Sequence, residues 1–266
     1  MNIASEVLAG IPISCEVIDA HTHITPYTNT GWYQYQPELS TLIHDMDRYG
    51  VNTIVTAPHA LVGSYSEEAN SITVAAMKEY PGRILGYVCF NPEYGLAETK
   101  SIVKKYWGKP GFVGFKFLSG YHGSLLSEPY AYALSVANEH HAPVLCHTWA
   151  NSPPFSEFRT VAKKYPKLSL IAGHGGGSRS TYKDAIAACK DHSNLFIEIC
   201  GGLYCDWWLE DIVADAGAER VIYGTDAINL DMRYDLGRVV FADLPESDKK
   251  KILAVNFKKI LAKIRF

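Results

Sequence analysis

The sequence predicts an α/β fold, a single-domain (β/α)8 barrel of the TIM type. Short β-branched or aromatic runs alternate with longer amphipathic stretches along the whole chain. The short runs read as apolar on both faces, and no linker or shift in composition interrupts the pattern. Strands buried on both faces, each returning through a helix, make a parallel sheet. Eight such units in one domain close into a barrel, and 266 residues is an ordinary length for one. A doubly wound open sheet competes, but neither half carries a glycine fingerprint or a topological break. The domain spans residues 1–266, with the barrel core at about 16–262.

The elements follow in order. The strand runs are "CEVIDAHTHI", "VNTIVTAP", "RILGYVCFNP", "FVGFKFLSG", "APVLCHTWA", "LSLIAGHGG", "NLFIEICGG" and "RVIYGTDA". Seven helical segments fall between them: "ELSTLIHDMDRYG", "SEEANSITVAAMKEYPG", "LAETKSIVKKYWG", "SEPYAYALSVANEHH", "FRTVAKKYPK", "YKDAIAACKDHS" and "CDWWLEDIVADAGAE". "MRYDLGRVVFADL" and "ESDKKKILAVNFKKILAKI" follow the last strand. Most helices end in glycine, lysine or histidine just before the next strand, as stop signals should.

Composition excludes several classes. Net charge is −3, and the basic run "DKKK" near residue 250 is the longest. That is no footprint for nucleic acid or for an anionic membrane, and it suits a small-molecule substrate. No window approaches a membrane span, and "MNIASEVLAGIPISCEV" lacks the basic and apolar regions of a signal peptide. The six cysteines form no C-x-x-C pair and read as reduced, which points to a cytoplasmic protein. A homo-oligomer is compatible with the sequence.

Chemistry in such barrels sits at the C-terminal ends of the strands. His21 and His23 end the first strand and share a face by the period of two, with Ile18, Ala20 and Thr22 expected toward the helices. Two neutral imidazoles crowded inside a barrel point to a divalent metal. His147 ends strand five, His174 strand six and Asp226 strand eight. A lone buried histidine is more often a satisfied core residue. Metal-type residues at four strand ends are hard to obtain by chance, and three or four imidazoles with a carboxylate suit zinc or a similar ion.

"IDAHTHI", "GFKF", "APVLCHT", "LIAGHGGG", "VIYGTDA" and "VNFKKIL" occur in this order from about residue 16 to 262. This set resembles the amidohydrolase superfamily, in particular the amidohydrolase-related branch that holds both hydrolases and non-oxidative decarboxylases. The resemblance implies one metal, usually zinc, on His21, His23, His147 and Asp226. It implies His174 as an acid/base or electrophile beside the metal. TatD-type deoxyribonucleases carry a glutamate where this chain has Lys116, and PHP-type phosphoesterases need further ligand clusters that are missing.

Lys116 lies between Phe115 and Phe117, so it points inward if the phenylalanines pack on the helices. A buried ammonium must be paired or neutralised. The reading preferred here is an unmodified lysine meeting a substrate anion; the alternative is a carbamate bridging two metals. His59, Trp149 and Arg179 are further candidates to line the pocket, and Arg233 to hold a carboxylate. Tyr27, Trp32, Tyr33 and Tyr35 share the first loop. Glu198 and Cys200 have the parity of inward residues, with no role legible.

Two reactions fit. In a metal-dependent hydrolase, metal-activated water attacks a carbonyl of amide, ester or lactone type while Asp226 accepts its proton. The alternative is a carboxy-lyase acting on a small unsaturated or aromatic acid with the same ligands. A binding protein on a retired barrel is disfavoured, because every expected ligand is present.

Overall fold

The computed structural model describes residues 2–24, 38–58, 66–149, 152–201 and 207–266. Its strands are β1 (Ile18–Thr22), β2 (Thr53–Thr56), β3 (Ile84–Cys89) and β4 (Phe112–Phe117). They continue as β5 (Pro143–His147), β6 (Ser169–Gly173), β7 (Leu195–Glu198) and β8 (Val221–Ile222). The eight form one sheet in the order β1 to β8, and every neighbouring pair is parallel. This is the expected (β/α)8 barrel.

Backbone bonds across the seam close it. Ala20 N–H donates to Tyr223 O at 3.0 Å, Asp226 N–H to His21 O at 2.8 Å and Ile228 N–H to His23 O at 3.2 Å. The Asp19 carboxylate adds a side-chain stitch, accepting from Thr225 N–H at 3.1 Å and Thr225 Oγ1 at 2.5 Å. The same carboxylate accepts from His21 N–H at 3.1 Å, so the seam and the first candidate ligand share an anchor.

Helices form where the periodic segments predict them. Leu39–Tyr49 buries Leu42 and Met46 and stops at Gly50, whose φ of 81° completes a left-handed cap. Ser66–Glu79, Gly95–Tyr106, Glu128–Glu139, Phe155–Lys164, Thr181–Asp191 and Trp208–Ala216 follow the later strands. After β8 comes Met232–Val240, then Glu246–Lys250 and Asn256–Leu261 joined through a π-helical turn at Lys251–Val255. From that turn Ile252 O accepts the Tyr223 N–H at 3.1 Å and ties it to the β8 segment. A short N-terminal helix, Ile3–Leu8, is an addition to the sequence reading; Asn2 Oδ1 caps it by accepting from Ser5 N–H at 2.8 Å. Among the described residues, no helix is long and apolar enough to cross a membrane.

The core has two parts. The larger joins the outer strand faces to the helices, and includes Val88, Phe115, Phe117, Val144, Leu170 and Ile197. Burying each such side chain is worth about 1.5–3 kcal/mol. The smaller takes Val55, Tyr87, Leu145, Ile171, Phe196 and Ile222 from six strands, so it fills the barrel itself. Ile18 and Ala20 belong to this inner cluster and not to the helix side, which corrects the expected orientation. The cause is a register shift in β1 between Asp19 and Thr22, which breaks the strict alternation of faces.

Candidate active site

Six of the sequence-predicted residues meet inside the barrel mouth. Lys116 is 1% exposed, His21 1%, His174 4% and His23 7%, so each polar atom there must find its partner within the protein. His147 and Asp226 stand at the same place, half-buried.

Each imidazole is tethered through Nδ1. His23 Nδ1 lies 2.6 Å from Ala57 O, and His174 Nδ1 lies 3.0 Å from Cys200 O. A backbone carbonyl only accepts, so both Nδ1 atoms carry a proton, and in the neutral ring each Nε2 is a lone-pair acceptor. His174 Nε2 lies 3.1 Å from His147 Nδ1, which must therefore be the donor, and His147 Nε2 becomes an acceptor as well. His21 Nδ1 lies 2.7 Å from the Glu198 carboxylate, and its Nε2 lies 2.5 Å from Lys116 Nζ. The donor there is the ammonium.

Asp226 Oδ1 sits 2.9 Å from His23 Nε2 and 3.7 Å from His21 Nε2. With His23 Nδ1 protonated, its Nε2 and the carboxylate oxygen are two acceptors facing each other. A cation between them, a proton or a metal ion, is needed to hold that geometry. His21, His23 and Asp226 each bring a ligand atom to within 4.8 Å of the others, a donor set of two nitrogens and an oxygen that fits a divalent ion. His21, His174 and Cys200 form a second trio. His147 joins neither among the described residues; its ring packs edge-on to His174 at 4.6 Å.

Burial sets the charge states. It holds His21 and His147 well below the usual imidazole range, and Lys116 and neighbouring rings add to the effect. His174 is lowered by burial too, although Asp226 and Glu198 oppose it. Burial alone would push the Asp226 carboxyl up. A proton bridging His23 Nε2 and Asp226 supplies a hydrogen bond and a positive charge that outweigh it, and the group is held well below the usual carboxylate range. Burial lowers the Lys116 ammonium while Asp226, Cys200, Glu198 and Cys146 pull it back.

The backbone is special where the chemistry is. His174 and Asp226 have φ of 63° and 57°, a left-handed conformation that costs a non-glycine residue about 1–2 kcal/mol. Asp226 lies beyond the end of β8, in the loop that follows it. Its N–H bond to His21 O fixes that loop against β1.

The rim candidates divide. Trp149 is 47% exposed, yet its indole stands edge-on to His174 at 5.6 Å and packs against Gly177. A Cβ on Gly177 would come within 2.5 Å of Trp149 Cε3, so the glycine makes that placement possible. Tyr121, 49% exposed, packs on the His147 ring at 5.3 Å. Arg179 is exposed, and Arg233 is exposed and paired with Asp231 at 2.8 Å, so the structure does not bring Arg233 to the cluster. His59, Tyr27, Trp32, Tyr33 and Tyr35 lie outside the described residues. Glu198 and Cys200 do belong to the cluster. Their inward parity was the only signal in the sequence, and no motif gave them a role.

Comparison with known proteins agrees with the architecture. No curated protein sequence matches the chain. Among solved structures it is similar to 5-carboxyvanillate decarboxylase from Sphingomonas paucimobilis, with TM-score 0.73, 14% identity, and coverage of 95% of this chain and 100% of that one. It is also similar to a dihydroxybenzoic acid decarboxylase from Polaromonas that holds manganese and the inhibitor 2-nitroresorcinol, with TM-score 0.68, 16% identity, and coverage of 93% and 96%. The 2,6-dihydroxybenzoate decarboxylase from Rhizobium gives TM-score 0.67, 15% identity, and coverage of 93% and 98%. At such identities the likeness is one of fold. The sequence model of the family described as amidohydrolase matches residues 18–261, nearly the whole barrel. The chain belongs to the amidohydrolase family.

Proposed function

We propose that the chain is a metal-dependent hydrolase of a small anionic substrate, with His21, His23, His147 and Asp226 holding one divalent ion. The observation that carries this reading is the convergence of His21 Nε2 and His23 Nε2 on one oxygen of Asp226. A divalent ion bound there would act as a Lewis acid and bring the pKa of a bound water toward neutrality. The nitrogen-rich donor set suits zinc, while the Polaromonas neighbour holds manganese.

The chain's own residues supply the rest. Asp226, held ionised and 15% exposed, accepts the proton of the attacking water. Lys116 puts a cation beside His21, where it meets a substrate carboxylate or a developing oxyanion. His174 Nε2 accepts the His147 Nδ1–H; once substrate displaces His147 from it, that lone pair relays to the leaving group the proton that Asp226 has taken from water. Trp149 and Tyr121 flank those two rings with half-exposed aromatic faces, a platform for a planar substrate. Arg179 at the exposed rim is the second cation assigned to substrate.

Decarboxylation of a small aromatic or unsaturated acid is the second reading. A buried cation next to the ligand cluster favours it, as do the decarboxylase names of the neighbours above. One panel separates the two: lactones, amides, esters and small aromatic acids, each followed for acid release and for carbon dioxide. Acid release from a carbonyl substrate supports hydrolysis. Carbon dioxide release alone assigns the chain to the second class.

A further inference from the structure

We infer that Glu198 is a positioning residue that fixes the tautomer and orientation of the His21 ring and, through the turn it holds, the placement of His174. This rests on the metal reading given above. Glu198 is the last residue of β7 and has no exposed surface. Its Oε2 accepts from His21 Nδ1 at 2.7 Å, from His174 N–H at 3.1 Å and from the Cys200 thiol at 3.0 Å. Its Oε1 accepts from Cys200 N–H at 2.5 Å. One carboxylate thus reaches a candidate ligand and the backbone on which the left-handed His174 turns.

The segment after the neighbouring strand, β8, is shaped around it. A Cβ on Gly224 would overlap Glu198 Oε1 and stand 2.8 Å from His21 Cβ. That room serves a carboxylate whose burial is unfavourable in itself, since an apolar residue would fill the place without desolvation. The return is on His21. A donor bond from Nδ1 to a carboxylate locks the proton there, leaves Nε2 as the lone pair turned to Asp226 and Lys116, and raises its basicity. His23 is tethered to a carbonyl and His147 to a neutral ring, so among the imidazoles of the cluster His21 has the carboxylate partner on Nδ1.

A role limited to satisfying the end of β7 makes different predictions. In Glu198→Gln the amide keeps the shape and one acceptor, but it cannot accept from all four donors. Two measurements test the inference: imidazole 15N–1H correlation spectra of the metal-free protein, with the His21 signal assigned by its loss in His21→Gln, and zinc affinity by competition with a chromophoric chelator. Wild-type protein should show His21 protonated on Nδ1. Glu198→Gln should shift that ring toward the Nε2–H form and weaken zinc binding 10- to 100-fold, the usual effect of losing such a partner. Wild-type His21 protonated on Nε2 overturns the inference without any Glu198 variant, so a Glu198→Gln protein that fails to fold does not shelter it. Equal zinc affinity in a folded Glu198→Gln also overturns it. Wild-type protein that binds no zinc instead defeats the metal reading itself.

Discussion

Asp226 Oδ1 lies 2.9 Å from His23 Nε2, and the neighbouring peptide N–H of Asp226 is bonded to His21 O at 2.8 Å. The carboxylate and the β1 histidines are therefore held as one unit across the seam of the barrel. Asp226→Asn keeps the backbone bond and the size of the side chain but removes a proton acceptor and a charged ligand. Turnover should be abolished while the fold is kept, with thermal stability falling only by the loss in metal binding. Activity within about tenfold of wild type, or ~1.4 kcal/mol in the barrier, would mean that the proton goes elsewhere.

Lys116→Met preserves length and much of the volume of the side chain. If the ammonium beside His21 Nε2 meets substrate, the variant should keep its metal. It should lose most of its kcat/KM, a penalty on the order of 2–5 kcal/mol for unpairing a buried charge. Loss of metal content in the variant would instead identify a carbamate bridge. Full activity with full metal content would make the lysine structural.

The same residue gives the metal-free protein a pH signature. Burial holds the Lys116 ammonium below its ordinary value of 10.5 in the folded chain. Between the folded value and 10.5 the unfolded state binds more protons than the folded one, so this group adds stability as pH rises through that window. Lys116→Met lacks the slope. Urea unfolding at neutral pH and near pH 10 should show wild type gaining on the variant at the higher pH. A constant gap would contradict a buried, titrating lysine.

Gly224→Ala places a methyl against Glu198 Oε1 and His21 Cβ. Overpacking of this kind costs about 1–3 kcal/mol. Chelator competition should show a weaker zinc site, since the methyl displaces the His21 side chain and its tether from their places. A destabilised protein with unchanged zinc affinity would show that this contact serves packing alone.

Much of this centre was legible because strand ends carry the chemistry of a barrel. His21, His23, Lys116 and His147 are placed by strand order and parity, and they do meet. Asp226 was legible as a residue type, but its reach comes from a left-handed turn beyond β8 that no periodicity encodes. The register shift in β1 was hidden for a similar reason. It brings Ala20 inside along with His21, and depends on hydrogen bonds to two neighbouring strands, not on local pattern. Glu198 and Cys200 had the right parity and no motif, so their place in the cluster emerged only from three-dimensional distances. Arg233 looked like a substrate cation, but the half-buried Asp231 two residues before it takes the charge.

Metal content of the purified protein tests the central claim most directly. Elemental analysis after exchange into metal-free buffer, with His21→Ala and His23→Ala in parallel, should give about one divalent ion per wild-type chain and little in either variant, as a mononuclear site requires. No retained metal in wild type, even after incubation with zinc or manganese, would contradict the account. A ratio near two, with a carbamate on Lys116, would replace it with a binuclear centre.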